Sequence, residues 1–309
     1  MKILVTGSNG FLGSRIADYL KSNGFLVFFG SRTVSESVSN VVRIDYEDYP
    51  TLTKACRDID VVIHAAGMNA LDSFMNPIRA LEVNGVGSLK MAFAAKNSGV
   101  KKFIYFSTAH IYTDQFQGLI DENFIPNNLH PYATSHLAGE YGVLQNIEEN
   151  GFQAVVLRLS NAFGVPTYVS SNCWRLLTNE LCRQTIELGY IKLNTSGNQY
   201  RNFISITSLC NYILELLKSN IDLSNIKVAN IGAENLTIKD MAQLIQKRYK
   251  YLFGKFINII HDEGIPRKFV FNNPLVYDCR KINGVIKIPN NNIIKELDEL
   301  LLYCAKTFK

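Results

Sequence analysis

Two side chains that can move protons stand four residues apart, Tyr132 and His136. Both fall in a stretch predicted to be a helix over residues 132–149, so they share one helix face, one turn apart. A free phenol has a pKa of about 10, and acting as a base near neutrality would require a shift of about 3 units, or about 4 kcal/mol. Imidazole, with an unperturbed pKa of about 6.5, is mostly neutral at pH 7. A tyrosine at this position would therefore need less help from its neighbour to donate a proton than to accept one, and a half-buried structural tyrosine is the alternative.

Three glycines, Gly7, Gly10 and Gly13, follow the first apolar run and open the first helical stretch. In that position the first permits a tight turn, the second lets the backbone approach a pyrophosphate, and the third lets helix and strand pack closely. The helix N-terminus adds free N–H groups and a partial positive charge. An ordinary loop is the alternative, but the place directly after a strand argues against it. The predicted dinucleotide site comprises Gly7, Asn9, Gly10, Phe11, Leu12 and Gly13.

The end of the second predicted strand bears on which dinucleotide is bound. An acidic residue there would accept hydrogen bonds from the adenosine ribose. Instead Ser31 and Arg32 follow, and the first acid is Glu36. Ser31 can donate a hydrogen bond, and Arg32 can pair with a 2′-phosphate or stack on adenine. This favours NADP, with NAD and a merely solvated Arg32 as the alternative.

The bulk properties exclude several classes of function. The chain has 309 residues and a net charge of +5 without one long basic run, which argues against nucleic-acid binding. No segment has the apolar length to span a bilayer. The six cysteines are scattered without a Cys-x-x-Cys pair, so neither a disulfide framework nor a metal site is expected. Residues 1–5 run straight into an apolar strand without a basic leader, so a cytoplasmic location is expected.

The elements that must position these residues follow an α/β rhythm in the first half. Strands that are apolar at nearly every position, separated by helices, are typical of a parallel sheet covered on both faces. We predict strands at 2–6, 25–30, 41–44, 61–64, 103–107 and 154–158, and helices at 11–23, 74–98 and 132–149. The expected fold is a doubly wound parallel sheet of the Rossmann type over residues 1–164.

The second half is less regular and predicts a smaller α/β substrate lobe over residues 165–309, with about 201–232 returning to the main sheet. Extended segments are expected at 201–206 and 227–231. Helices are expected at 173–188, 207–218, 237–249 and 291–308. Thr237 is the expected cap of the third of these helices, and Ile294, Leu297, Leu301 and Leu302 form the expected apolar face of the last.

The glycine-rich opening, residues 6–13, and the segment Pro131-Tyr132-Ala133-Thr134-Ser135-His136 resemble the extended short-chain dehydrogenase/reductase family, in its NAD(P)-dependent epimerase/dehydratase branch. The family signature is Tyr-x-x-x-Lys, and His136 stands where the lysine is expected. The resemblance implies that Tyr132 exchanges a proton with a carbinol oxygen while a nicotinamide carries a hydride. It also implies that Thr108 bonds the same oxygen and that His136 reaches the nicotinamide ribose.

Further cofactor contacts are implied by the same resemblance. Small residues after the fourth strand, at 65–67, would let the backbone lie against the dinucleotide. Asp45 matches an adenosine-contacting acid, and Asn84 matches a helix asparagine near the active site, although an ordinary polar helix residue is the alternative. The implied cofactor residues are Asp45, Ala65, Ala66, Gly67, Asn84, Ser107, Tyr132 and His136. His64, at the end of an apolar strand, is expected to be a packed residue.

On the substrate side, residues 157–164 and 196–204 are similar to segments of the nucleotide-sugar branch. Asn161 would then bind the diphosphate and Arg201 a nucleotide phosphate, whereas Asn202 departs from the usual aspartate. His110 is a candidate sugar contact, with loop packing as the alternative. Ala109 and His110 occupy the positions of the Asp-Glu pair of 4,6-dehydratases, which argues against that activity. Ala109 also lies near the position of the cysteine of GDP-fucose synthase-like enzymes, which argues against that activity as well.

The function predicted from these residues is an NAD(P)-dependent ketoreductase acting on a nucleotide-diphosphate sugar. The alternatives are a nucleotide-sugar 4-epimerase with retained NAD, a reductase of a small ketone without a nucleotide, and a non-catalytic NADP-binding sensor or scaffold that lost its chemistry with the lysine. The family often pairs through helices corresponding to 74–98 and 132–149, which is compatible with a homodimer.

Overall fold

The computed structural model describes residues 1–33, 40–147, 151–261, 273–286 and 292–308. Glu36 and the predicted helix ends at 149 and 291 lie outside these ranges. The described strands are β1 (Lys2–Thr6), β2 (Leu26–Ser31), β3 (Val41–Arg43), β4 (Val61–His64), β5 (Lys102–Thr108), β6 (Gly118–Ile120), β7 (Gln153–Leu159), β8 (Asn161–Phe163), β9 (Tyr190–Leu193), β10 (Tyr200–Ser205), β11 (Val228–Ile231), β12 (Glu234–Thr237), β13 (Asn258–His261) and β14 (Leu275–Tyr277).

The helices of the described residues alternate with these strands. They are α1 (Phe11–Ser22), α2 (Tyr49–Ala55), α3 (Ala70–Met75), α4 (Pro77–Ala80), α5 (Gly87–Asn97), α6 (Pro131–Leu144), α7 (Leu177–Glu187), α8 (Ile206–Lys218), α9 (Ile238–Phe253), α10 (Arg280–Asn283) and α11 (Ile293–Thr307). A π-helical turn at Leu81–Val86 joins α4 to α5. Short 3-10 turns lie at Ala109–Ile111 and Leu223–Asn225.

Seven of the described strands form a wholly parallel sheet in the order β11-β7-β5-β4-β1-β2-β3. The central strands β4, β5 and β7 are buried over nearly their whole length, which explains why their sequences do not alternate. One face packs on α1 and α8 through residues such as Ile16 and Ile213. The other packs on α2, α5 and α6 through Leu52, Met91 and Val143. The predicted doubly wound α/β fold is confirmed.

The order of the strands fixes where a ligand can lie. From β1 the chain moves outward to β2 and β3, then crosses to β4 on the other side of β1. Such a reversal leaves a crevice at the carboxyl ends of the strands, and dinucleotides bind there. Gly7 follows β1, residues 65–67 follow β4, and Ser107 and Thr108 end β5 at this edge.

The second half builds a separate apolar cluster between α7, α9 and α11, with Leu181, Ile245 and Leu301 at its centre. Beside it lie a small sheet ordered β12-β10-β8 and the pairs β13-β9 and β14-β6. The predicted cap is confirmed, because the Thr237 side chain accepts the N–H of Asp240 and the Asp240 carboxylate bonds back to Thr237.

Three sequence predictions are corrected here. The predicted helix 74–98 is broken at Asn76, since Pro77 has no N–H to continue it and Asn76 turns to cap the next segment at Arg79. The predicted helix 173–188 begins only at Leu177. Of the segment 201–232, only β11 joins the main sheet. β10 instead pairs with β8, which leaves the sheet after β7 ends.

The apolar face of α11 also differs from the prediction. Leu297 and Leu301 are fully buried, but Ile294 and Leu302 are 37% and 43% exposed. Leu300 and Cys304 take their places in the cluster. These residues lie at a spacing of three to four and so share one stripe of the helix.

Within the described parts of the chain, no helix is both long and apolar enough to cross a bilayer. Nor do these parts bring together three His, Cys, Asp or Glu side chains that could hold a metal ion. All six cysteines are buried, and none forms a disulfide.

Candidate active site and cofactor cleft

The turn after β1 is so tight that glycine is required at two positions. Gly7 has a φ of +70°, and a Cβ there would lie 2.8 Å from the backbone of Ala66. A Cβ on Gly13 would collide with the Gly7 carbonyl. The Gly10 N–H closes the turn on that carbonyl at 2.8 Å, and no side chain caps α1. The first N–H groups of the helix therefore remain available to an anion.

Two of the predicted cofactor residues around this turn, Phe11 and Asn9, also have structural contacts within the protein. The Phe11 side chain is buried in the core, so only its backbone faces the turn. Asn9 donates to the Ser31 hydroxyl at 2.8 Å, which ties the turn to the end of β2. The Arg32 side chain next to it is exposed.

Asp45 follows β3 near the same edge, but both of its carboxylate oxygens have local partners. One pairs with Arg43 at 2.9 Å and the other accepts the Glu47 N–H at 3.1 Å. The Arg43 hydrogen bond is the main reason why the pKa of Asp45 lies below its usual value. A contact from Asp45 to adenosine would therefore share a carboxylate that is already engaged.

Asn84 lies in the π-helical turn, a kind of irregularity that is frequent at functional sites. Its Oδ1 accepts the Met68 N–H at 2.7 Å, and its Nδ2 donates to the Ser135 hydroxyl at 3.0 Å. A Cβ on Gly67 would lie 3.1 Å from that same Oδ1. Asn84 thus connects the segment after β4 to α6 and holds both in place.

His64 is a packed residue, as the sequence favoured. Its ring nitrogens bond the hydroxyls of Thr6 at 2.7 Å and Ser88 at 3.1 Å. Burial, followed by the charge of His136, lowers its pKa to about 3.

The candidate reaction centre is assembled by a loop that ties α6 to the end of β5. His130 accepts the Tyr132 N–H at 3.2 Å and so caps the helix. Asn128 donates to the His110 carbonyl at 2.7 Å, and the His110 N–H donates to the Thr108 hydroxyl at 3.1 Å. These bonds bring Tyr132 and Thr108, which lie 24 positions apart, to one site.

The Tyr132 phenol has a pKa above its usual value. Burial is the largest cause, and a hydrogen bond with the Thr108 hydroxyl acts in the opposite direction. No lysine or arginine of the described residues is among the groups that shift it. The His136 ring lies edge-on to the Tyr132 ring, with 4.6 Å between centroids. The phenol is therefore protonated at neutral pH.

The His136 side chain is 5% exposed. It extends from α6 toward β5 and the segment after β4. Its Nδ1 is 3.0 Å from the Tyr105 hydroxyl. Its Nε2 is buried with no hydrogen-bond partner among the described residues, and it would lie 3.7 Å from a Cβ on Gly67. Burial, with a smaller contribution from His110, lowers the pKa of His136 to about 4. The histidine is therefore neutral at pH 7 and supplies no positive charge to Tyr132.

A cavity of about 580 Å³ opens next to Tyr132. It brings together three residues predicted from separate parts of the chain: Tyr132, His110 and Arg201. Also lining it are Ala70, Asp114, Asn127, Asn128, Leu129, His130 and Ala133. This is the expected relation between a proton donor and a substrate pocket.

The titratable side chains that line the cavity, besides Tyr132, are Arg201, Asp114, His110 and His130. Arg201 lies 5.3 Å from the centre of the Phe116 ring and donates to the Tyr200 carbonyl at 2.8 Å. Its pKa is lowered by burial, which Asp114 partly opposes. Burial, then Arg201 and His130, lower the pKa of His110 to about 4. Among the described residues of the lining, Arg201 is the one guanidinium and Asp114 the one carboxylate, so an anionic ligand would bind at Arg201 in competition with Asp114.

Asn161 is not one of the residues that line this cavity. It opens β8, and its amide donates to the Asn202 carbonyl at 2.9 Å across the small sheet. Asn202 is itself buried, with its side chain bonded to Asn235 and to the Ala233 N–H. The predicted diphosphate contact of Asn161 stays a prediction.

Sequence reasoning missed Tyr105 and His130. Tyr105 lies on β5 and shares a face with Ser107, because alternate residues of a strand point the same way. That parity could have placed it beneath α6 and beside His136. His130 precedes a proline-initiated helix, where a side-chain acceptor is expected, but capping by histidine is uncommon and the signal is weak.

The comparison with family models is decisive for the class of the chain. The model described as "NAD dependent epimerase/dehydratase family" matches residues 3–232. The chain belongs to this family of enzymes. The match covers the glycine turn, Thr108, Tyr132, His136, Asn161 and Arg201.

Individual members of the family are more distant. The chain is 28% identical over 242 residues to human dTDP-D-glucose 4,6-dehydratase, covering 70% of this chain and 65% of that enzyme. It is 26% identical over 236 residues to GDP-6-deoxy-D-talose 4-dehydrogenase of Aggregatibacter actinomycetemcomitans, covering 74% of each. A similar solved structure is UDP-glucuronic acid 4-epimerase of Bacillus cereus in complex with UDP-glucuronic acid and NAD, with a TM-score of 0.81, 23% identity, and coverage of 99% and 100%. The last likeness supports the fold alone.

The residues at the carboxyl edge fit the nicotinamide dinucleotide that the family implies. Gly7 lets the turn after β1 approach the backbone of Ala66, and Gly67 lets the segment after β4 approach Asn84, where a Cβ would not fit or would be tight. The Ser107 hydroxyl and His136 Nε2 are buried polar atoms without a partner among the described residues, and such atoms are costly unless a ligand satisfies them. They lie on β5 and α6, where the nicotinamide end is expected.

Proposed function

We propose that this enzyme is a ketoreductase of nucleotide-diphosphate sugars, and that it uses a nicotinamide cofactor which enters and leaves with each turnover. The observation that carries the proposal is the neutral surrounding of Tyr132. The pKa of its phenol is raised by burial, and the neighbouring His136 is neutral because burial lowers its pKa to about 4. A protonated phenol can donate to a forming alkoxide, but it cannot accept a proton from an alcohol.

In the proposed reaction the residues of the chain handle the proton and the orientation of the substrate. The bound cofactor would supply a hydride to the carbonyl carbon. Tyr132 donates its phenolic proton to the carbonyl oxygen as that oxygen gains charge, and Thr108 donates a hydrogen bond to the same oxygen. Ser107 and His136 would hold the nicotinamide end of the dinucleotide, and the glycine turn would hold its pyrophosphate.

The proposed cofactor is NADP, with NAD as the alternative. Arg32 is exposed directly after β2, where its guanidinium can pair with the 2′-phosphate of NADP. Positions 31 and 32 hold a serine and an arginine, so no carboxylate at either position would repel that phosphate. The family model is NAD-dependent by name and the Bacillus cereus structure contains NAD, which supports the alternative. Dissociation constants for NADPH and NADH, measured on wild type and Arg32→Ala, would separate the two cases.

The proposed substrate carries a nucleoside diphosphate. This rests on the guanidinium of Arg201, which faces the cavity beside Tyr132, and on the nucleotide sugars named for the family members compared above. His110, neutral and close to the Tyr132 ring at 6.3 Å between centroids, is placed to contact the sugar. Asn161 remains a proposed contact of the diphosphate.

A nucleotide-sugar 4-epimerase is the second candidate, and the NAD-bound epimerase with the same fold favours it. Purified protein should be denatured and the released nucleotide identified. The reductase proposal expects little bound cofactor, because a co-substrate must dissociate. Near-stoichiometric NAD would support internal recycling by an epimerase and would count against the reductase.

A homodimer is proposed through the helices around α4 and α6. Large apolar side chains of these helices are unusually exposed: Phe74 62%, Met75 74%, Ile78 75%, Leu81 49% and Tyr141 66%. Several exposed apolar side chains on neighbouring helices are the kind of surface that protein interfaces cover. Sedimentation velocity of the full chain would show a species of twice the chain mass if the proposal is right.

A further inference from the structure

Tyr105 places a hydroxyl directly beneath the active-site helix. The residue lies in β5 and is fully buried. A Cβ on Gly139 of α6 would lie 2.5 Å from the Tyr105 hydroxyl oxygen, so the glycine creates the notch that this oxygen occupies. The hydroxyl lies 3.0 Å from His136 Nδ1 and 3.4 Å from the Asn84 carbonyl oxygen.

The two distances bear on where the single phenolic proton goes. Burial raises the pKa of Tyr105 and lowers that of His136, so both partners are neutral at pH 7. A neutral imidazole carries its proton on one nitrogen only and accepts a hydrogen bond at the other. The contact with Nδ1 has an ordinary length, whereas the contact with the Asn84 carbonyl is at the long end of the range. Donation from Tyr105 to Nδ1 is therefore the better bond.

The opposite ring nitrogen faces the cofactor cleft. Nε2 of His136 lies beside Gly67, at the carboxyl end of β4, and has no hydrogen-bond partner among the described residues. If Nδ1 accepts the hydrogen bond from the Tyr105 hydroxyl, the single proton of the neutral imidazole must be on Nε2. A buried N–H without a partner is unfavourable, and a ligand oxygen at this position would satisfy it.

We propose that Tyr105 is a positioning residue that holds His136 as the Nε2–H tautomer, so that this N–H donates to a ribose hydroxyl at the nicotinamide end of the dinucleotide. This inference rests on the proposed cofactor site but not on the direction of the reaction. The Nε2–H of His136 thus replaces the hydrogen-bond donor that the family's lysine would provide, but it carries no positive charge. Tyr105 and Gly139 are the residues that make the replacement work.

The test is the tautomer of His136, read by nitrogen-15 NMR of the full-length protein at pH 7 without cofactor. The chain has five histidines, and the His136 signals are identified by their loss in His136→Gln. We expect an unprotonated Nδ1 and a protonated Nε2. A proton on Nδ1 in the wild-type protein would overturn the proposal, whatever reaction the enzyme performs.

The second measurement is the dissociation constant for the reduced dinucleotide in Tyr105→Phe. The variant keeps the ring but removes the donor, so the tautomer should become mixed and affinity should fall by about three- to tenfold, as for one hydrogen bond. Tyr212→Phe is the matched control, because Tyr212 is a buried tyrosine of α8 that loses a 2.8 Å bond to Asn283 away from the site. An unchanged tautomer and affinity in Tyr105→Phe, or an equal loss of affinity in Tyr212→Phe, would contradict the assignment.

Discussion

At the residue scale, Tyr132 and His136 form the part of the site where charge matters most. A cation beside the phenol would lower its pKa, but here burial acts on both groups and keeps both neutral. The structure thereby separates two tasks: a hydrogen bond to the cofactor, which a neutral imidazole can make, and activation of the phenol as a base, which it cannot. This separation is the physical reason for favouring reduction over oxidation.

Tyr132→Phe should abolish reduction while leaving the fold and cofactor affinity intact. The substitution removes only the phenolic hydroxyl and keeps the ring, and a general acid contributes about 10²- to 10⁴-fold to rate. We expect kcat to fall by that range with little change in the dissociation constant for the reduced dinucleotide. A variant that retains most of its kcat would show that the proton comes from elsewhere.

The pH profile of reduction should be flat through neutrality. The pKa of Tyr132 is raised, so its acid form persists at pH 7 and is lost only as the pH rises through that higher value. His136 gains a proton only as the pH falls toward about 4. An inflection near the ordinary histidine pKa of about 6.5 that disappears in His136→Gln would contradict this account.

His136→Lys extends the same test. A cation at this position lowers the pKa of Tyr132, which moves the high-pH limb of reduction downward and increases the phenolate fraction about tenfold for each unit. Alcohol oxidation should gain relative to carbonyl reduction. The neutral variant His136→Gln is the control and should leave the high-pH limb where it is.

At the scale of elements, α6 is held at the sheet by a buried ion pair. Arg158 of β7 donates to the Glu140 carboxylate at 2.8 Å, with side-chain exposures of 8% and 2%, and its other amino group donates to the Tyr112 hydroxyl at 2.9 Å. The Tyr112 hydroxyl donates in turn to Asn230 of β11 at 2.7 Å. The helix that carries Tyr132 is thus connected to two strands of the central sheet.

Glu140→Gln should therefore lower the free energy of unfolding by about 3–5 kcal/mol, because it leaves the Arg158 charge buried without a counter-charge. Denaturant unfolding of the two proteins measures the difference. Glu180→Gln is a suitable control, because Glu180 pairs with Arg183, one turn further along α7, at a partly exposed site. Loss of this pair should cost no more than about 1 kcal/mol. Equal effects of the two substitutions would contradict the structural role of the buried pair.

The elements also show what the sequence could predict. Runs of apolar residues such as Val61–His64 predicted the strands correctly, because a strand buried on both faces need not alternate apolar and polar residues. The glycine spacing predicted the turn after β1, because only glycine fits at position 7. The break at Asn76 and the π-helical turn were missed, since apolar periodicity continues across both. The partners of His136 were also missed, because neither its contact with Tyr105 nor its orphaned Nε2 follows from spacing along the chain.

At the scale of the whole molecule, the site lies where the carboxyl edge of the parallel sheet meets the second half of the chain. Tyr132 comes from the first half, and Arg201 reaches the same cavity from β10. Glu296 of α11 helps to fix this arrangement by accepting the N–H groups of Thr207 and Val165. Under the proposed function, we therefore expect substitutions of Arg201 to change substrate binding and substitutions of Tyr132 to change proton transfer.

Arg201→Ala should raise KM for the nucleotide sugar by about ten- to a hundredfold, the loss expected for a charge-assisted hydrogen bond to phosphate. The dissociation constant of the dinucleotide should not change, since Arg201 lines the cavity beside Tyr132 and is not one of the proposed cofactor contacts. Arg201→Lys keeps the charge and should recover part of the affinity. An unchanged KM in Arg201→Ala would favour a substrate without a nucleotide.

The central claim is that Tyr132 serves as a proton donor in carbonyl reduction with a diffusible cofactor. The most direct test is to follow oxidation of added NADPH or NADH by the full-length enzyme with a nucleoside-diphosphate 4-keto-6-deoxyhexose at pH 7. The account predicts turnover that depends on the added reduced cofactor and is lost in Tyr132→Phe. Interconversion of nucleotide-sugar epimers without added cofactor, and no consumption of NADPH or NADH, would contradict it.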